Sequence, residues 1–140
     1  GPGGQHRNKV ETAVCLTHRP TGITAEANER RAQGQNLQVA LNRLRVRLTL
    51  EVRQPWSGPS PLWNDRCRQR RLVVSPQHED FASLLAEALD ALSSQDWHTA
   101  ETAKRLGCST TQLVRLLKRH AEAFTELNRQ RAACGLRPLR

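Results

Sequence analysis

Hydrophobic periodicity switches once along this chain, from alternation to helical spacing, and the switch restricts it to a short sheet followed by helices. Over residues 10–18, Val10, Thr12, Val14 and Leu16 fall on one face and Glu11, Ala13, Cys15 and Thr17 on the other, as a half-buried strand requires. A second extended run covers residues 23–28. Between them, Arg19-Pro20-Thr21-Gly22 supplies a proline that presets φ and a glycine that tolerates positive φ. The pattern predicts a β-hairpin. Two strands alone are marginal in water, so the hairpin needs a third strand or a covering helix. The cover is expected at residues 36–52, where Leu37, Leu41, Leu44 and Leu48 recur at helical spacing while Arg43, Arg45 and Arg47 point elsewhere. Residues 46–53 also alternate strictly, which leaves a strand open there; continuity of the stripe from Leu37 favours helix.

The remainder divides by composition. Residues 54–77 hold Pro55, Pro59, Pro61 and Pro76 with Ser57-Gly58 between them, and read as a Pro/Arg-rich linker restrained by Trp56 and Trp63. Residues 78–140 are helical by pattern. Phe81, Leu84, Leu85, Ala88, Leu89 and Leu92 form one apolar stripe, and Trp97, Ala100, Ala103 and Leu106 form another. Gly107-Cys108 interrupts, and Ser109-Thr110-Thr111-Gln112 has the form of a capping box opening a helix that presents Leu113, Leu116 and Leu117. This spacing predicts a helix-turn-helix. Thr110, Thr111, Arg115, Lys118 and Arg119 are its candidate nucleic-acid-binding residues, against the alternative of a three-helix bundle used only for packing or protein contact. The fold class expected is α+β: a small hairpin and helix in residues 1–53, then an all-α, helix-turn-helix-like domain in residues 78–140.

Charge narrows the class of partner. Lys and Arg total 22 against 13 acidic residues, a net +9, which points to an anionic polymer or surface. Residues 1–53 carry nine basic and four acidic side chains, whereas residues 78–140 carry nine and eight, so the excess lies in the first half. Cys15, Cys67, Cys108 and Cys134 lie far apart with no C-x-x-C pair, which argues against structural zinc and for free thiols in a reducing compartment. The apolar runs are too short to span a bilayer, and the expected location is cytoplasmic. The chain has no methionine, so a segment upstream of Gly1 is expected.

The amino terminus reads Gly1-Pro2-Gly3-Gly4-Gln5-His6-Arg7-Asn8-Lys9. It continues through Glu11-Thr12-Ala13-Val14, Leu16-Thr17-His18, Pro20-Thr21-Gly22-Ile23, Arg31, Gln33 and Asn36. In this order and spacing the run resembles the catalytic domain of class I peptide chain release factors. The resemblance implies hydrolysis of the ester between a finished peptide and its tRNA, in the peptidyl transferase centre of the large ribosomal subunit. Gly3 and Gly4 allow the tight backbone path and close approach this needs. The backbone amide of Gln5 is implied in transition-state stabilisation, and its side chain in shaping a pocket that admits water. His6, Arg7, Asn8, Lys9, Arg31 and Gln33 are implied to contact rRNA. His6 as a general base is a lesser alternative. Arg7 stands where family members commonly have an apolar residue, and Gly34-Gln35-Asn36-Leu37 where they have a basic stretch.

The motif holds no acid-base pair or metal cluster, so the implied enzyme needs no metal or cofactor and takes most of its active site from RNA. Its partners are the ribosome, rRNA and peptidyl-tRNA, with no membrane. Codon-dependent factors of this kind add stop-codon-reading domains, and nothing of the kind is seen in these residues, which favours codon-independent rescue of stalled ribosomes. Two alternatives stand beside it: a non-hydrolytic ribosome- or rRNA-binding factor, and a DNA-binding regulator using the helix-turn-helix.

Overall fold

The computed structural model describes residues 12–140, which form helices and two small antiparallel sheets, an α+β fold. The chain divides into two compact units, Gly1–Leu48 and Thr49–Arg140.

In the first unit, strand β1 (Val14–Thr17) pairs antiparallel with β2 (Thr24–Ala27), Val14 opposite Ala27 and Thr17 opposite Thr24. The alternation read from the sequence holds: Cys15 and Thr17 are exposed, Val14 and Leu16 half-buried. The strand is shorter than expected, because Thr12 is helical and Ala13 unpaired; Val10 and Glu11 lie outside the described residues. The connection closes with His18 N–H donating to the Ile23 carbonyl at 2.8 Å and Gly22 N–H to the His18 carbonyl at 2.7 Å. Gly22 sits at φ +74°, where a side chain is strained.

Helix α1 (Gln33–Glu51) follows. Its inward stripe differs from the expected leucine row: Leu37 is 42% exposed and Leu41 and Leu48 half-buried, while Asn36, Ala40 and Leu44 are buried. Small Ala25 and Ala27 are buried on β2, and Ala40 is buried on α1. Arg43 fastens the two elements by donating to the Glu26 carbonyl at 2.9 Å and pairing with Glu29.

The second unit is built on helix α3 (Asp80–Ser94), whose predicted stripe of Phe81, Leu84, Leu85, Ala88, Leu89 and Leu92 is buried throughout. Helix α4 (Thr99–Leu106), helix α5 (Thr110–Lys118) and helix α6 (Ala121–Ala133) pack in succession. α4 turns a different face inward from the one expected: Ala100 is exposed, and Thr99, Thr102, Ala103 and Leu106 are buried. Trp97 is buried too, but it lies in the α3–α4 turn at φ 66°. Gly107 ends α4 at φ +75°, a left-handed cap. Leu113, Leu116 and Leu117 are buried on α5, as their spacing predicted.

The proline-rich segment carries ordered structure. Helix α2 (Pro61–Arg66) is capped by Ser60, and strands β3 (Cys67–Arg68) and β4 (Arg71–Leu72) form a hairpin. Trp63 is fully buried, with its indole N–H donating to the Leu106 carbonyl at 2.8 Å. Glu87 on α3 accepts from the Trp56 indole at 3.0 Å and the Ser60 N–H at 2.8 Å, and Arg105 lies over the Trp56 ring at 5.2 Å. These tertiary contacts, absent from local pattern, order the segment. Among the described residues no helix is long and apolar enough to cross a membrane.

Candidate functional site

The first-unit site is built around Asn36. Its carboxamide is fully buried, and all of its described bonds go to backbone. Nδ2 donates to the Thr12 carbonyl at 2.8 Å and the Arg30 carbonyl at 3.0 Å, while Oδ1 accepts from the Arg30 N–H at 2.9 Å. The Asn36 N–H in turn donates to the Ala32 carbonyl at 3.1 Å. One side chain on the first turn of α1 therefore ties the chain leaving residues 1–11 to the bend at residues 28–32. A buried amide satisfied this way is rigid, since each bond it loses would leave an unpaired polar group. Arg31 lies within that bend and Gln33 directly after it, at the start of α1, both exposed. Beside them Glu29, hydrogen-bonded by the Arg43 guanidinium, is held below its usual carboxylate pKa.

The motif residues Gly3, Gly4 and Gln5, with His6, Arg7, Asn8 and Lys9, lie outside the described residues. What the structure adds is the fixed position of Thr12, which follows Gln5 by seven positions in the sequence. The clamp was not legible from periodicity, because a polar residue at the head of an apolar stripe reads as solvent-facing. Its only sequence signal was its place in the motif run.

In the second unit, Thr110, Thr111, Arg115 and Lys118 come together on one exposed face of α5, where with Val114 they line an open depression of about 370 Å³. Lys118 also lies 5.4 Å from the Phe124 ring centroid. Arg119 does not join them: its guanidinium donates to the Val74 carbonyl at 2.6 Å, on the side facing β4. The capping box is only half formed. Ser109 Oγ accepts from the Gln112 N–H at 3.1 Å, but the Gln112 carboxamide accepts instead from the Leu72 N–H at 3.1 Å, and the Ser109 N–H donates to the Arg70 carbonyl at 3.2 Å. The helix start is thus coupled to hairpin β3–β4, whose arginines composition alone had assigned to a linker.

Residues 1–74 match the family model of the RF-1 domain. Over 80 residues the chain is 50% identical to peptide chain release factor 1 of Leptothrix cholodnii, covering 57% of this chain and 21% of that protein. Over 48 residues it is 54% identical to peptide chain release factor 2 of Lactiplantibacillus plantarum, covering 34% of this chain and 13% of that protein. Over 70 residues it is 39% identical to the mitochondrial peptide chain release factor 1 of Bos taurus, covering 50% and 14%. The chain therefore spans about a fifth or less of the length of these relatives. No solved structure matches it. With the match running through the glycine motif, the hairpin, α1 and the hairpin β3–β4, the chain belongs to the RF-1 domain family.

Proposed function

We propose that this chain hydrolyses the ester of peptidyl-tRNA inside the ribosome, and that it does so without reading a stop codon. The observation that carries the reading is the RF-1 domain match over residues 1–74, which holds Gly3-Gly4-Gln5 in frame with the hairpin and with Asn36. Three demands define the chemistry: a positioned water, donors aimed at the developing oxyanion, and exclusion of competing nucleophiles. In this reading Gly3 and Gly4 let the backbone approach the ester, the Gln5 N–H meets the oxyanion, and the Gln5 side chain sizes the pocket for water. His6, Arg7, Asn8 and Lys9 seat the loop on rRNA. Exposed Arg31 and Gln33, beside the Asn36 clamp, extend the same contact.

The codon-independent half of the proposal assigns targeting to the second unit. Residues 75–140 lie beyond the RF-1 domain match, yet they pack with residues 49–74 in one compact body through Trp63 and Glu87. The proposed organisation is a catalytic module in residues 1–53, joined through residues 54–77 to a helical targeting module in residues 78–140. The test is release of labelled peptide by the full-length protein from ribosomes halted with an empty A site, with and without a stop codon there. Equal release in both is expected. Release confined to the stop-codon complex overturns the codon-independent half of the proposal, and no release in either overturns the whole.

A further inference from the structure

The near-neutrality of residues 78–140 conceals a segregation of charge. Residues 66–78 contain four arginines and no acidic residue, and residues 102–121 contain five basic residues and no acidic one. The acids of the helical half lie elsewhere, Asp80, Glu87 and Asp90 on α3 and Glu122 and Glu126 on α6 among them. The fold lays the two acid-free segments side by side. The hairpin and the residues after it run along α5 from its first turn to its last, through Ser109 to Arg70, Gln112 to Leu72 and Arg119 to Val74. Leu72 and Val74 face inward, whereas Arg71 and Val73 are exposed.

The cations divide by what they do inside the fold. Arg66 pairs with Asp80 at 2.8 Å, Arg105 covers Trp56, and Arg119 is spent on the Val74 carbonyl. Arg70, Arg71 and Arg115 are exposed; Arg115 shares a face with Thr110 and Thr111, and the Arg70 carbonyl accepts from the Ser109 N–H just before them. The hairpin tip adds an independent sign. Its two central residues, Gln69 and Arg70, have φ of 51° and 66°. Turns of this shape favour Asn-Gly, which meets the positive φ without a Cβ penalty. Gln-Arg meets it with strain, and strain held at an exposed tip points to a role for the side chain.

We infer that hairpin β3–β4 and the exposed face of α5 form one surface that binds the phosphate backbone of double-helical RNA. Cations spread over two elements, with hydroxyl donors between them, suit a row of phosphates. The surface residues Arg70, Arg71, Thr111, Arg115 and Lys118 are cationic or hydroxyl-bearing, and the neighbouring Phe124 is half-buried with its ring under Lys118, so the surface offers no open stacking platform of the kind single strands require. It also lacks the large apolar anchors that a protein partner's hot spot would fill, offering only Val73 and Val114. The choice of RNA over DNA rests on the ribosomal reading above.

The experiment uses the full chain without ribosomes, so its outcome is independent of peptide release. Binding of a blunt RNA duplex two helical turns long, and of the DNA duplex of the same sequence, is measured as a function of salt. The RNA is expected to bind more tightly. Combined R71Q, R115Q and K118Q substitution should weaken it at least about tenfold and flatten the salt slope by roughly 2–3, whereas R137Q should leave both unchanged. The decisive variant is R70G, expected to raise the melting temperature by relieving the tip while weakening RNA binding, a split that a merely structural arginine does not give. Unchanged RNA binding in the triple variant overturns the surface, and unchanged binding in R70G removes the hairpin from it. Equal or tighter binding of DNA overturns the choice of RNA, and capture of an acidic peptide in preference to either duplex overturns the nucleic-acid assignment.

Discussion

Asn36 does at residue scale what a longer hydrophobic contact could not. A buried leucine would fill the space, but only an amide can donate to the Thr12 and Arg30 carbonyls while accepting from the Arg30 N–H. Asn36→Ala removes all three of these bonds and should cost about 2–4 kcal/mol in urea unfolding. Asn36→Asp should cost at least as much, because a carboxylate cannot donate and would face two carbonyls. A loss under about 0.5 kcal/mol for both would show that the clamp is idle. Cys108 supplies a second residue-scale test. Burial pushes its thiol up to about 12, from an ordinary value of 9.0. The folded state thus favours the protonated thiol. This contribution is present in full below 9.0 and is lost as pH rises from there towards about 12. In the native protein at pH 8, exposed Cys15 and Cys134 should alkylate while Cys108 resists until unfolding, as mass mapping of the labelled sites would register. Prompt labelling of Cys108 would contradict the packing.

At the scale of elements, the segment before α3 shows how far local pattern reaches. Prolines and glycine marked it as irregular, which residues 54–60 are, but nothing local announced that Glu87 would gather the Trp56 indole and the Ser60 N–H. Glu87→Ala strands these two donors and the Ser60 hydroxyl, which also donates to Glu87, and frees the entry to α2, so a loss of roughly 1–3 kcal/mol is expected, with faster proteolysis near Ser57-Gly58. Unaltered thermal stability and cleavage would mean that the segment is held by Trp63 alone. The hairpin of unit one was legible because alternation and a Pro-x-Gly turn are both local signals. The extent of α1 was legible too, but its buried face was not: Asn36 and Ala40 are chosen by what approaches them, and neither looks like core by hydropathy. The reading of α4 failed for the same reason at Ala100, whose place inside is taken by Thr99 and Thr102; Thr102 Oγ1 finds its partner in the His98 carbonyl at 2.7 Å.

The whole molecule joins two units with different logics. The first carries the glycine motif in its sequence and the Asn36 clamp in its fold; the second is a helical body in which Thr110, Thr111, Arg115 and Lys118 share one exposed face. The motif itself was the most legible part of the candidate site, because its spacing is fixed in sequence. The surface on α5 was legible only in part, since the arginines that complete it sit more than 30 positions away and were counted with another segment. Charge summed over a stretch of sequence averages out what folding separates.

Ester hydrolysis through Gln5 is decided by single-turnover peptide release from stalled ribosomes, comparing wild-type and Gln5→Ala full-length protein. Release by the wild type is expected, with a drop of at least about a hundredfold in the variant, on the scale of removing an oxyanion donor or its scaffold, and ribosome affinity nearly unchanged. Equal release by both proteins would contradict it.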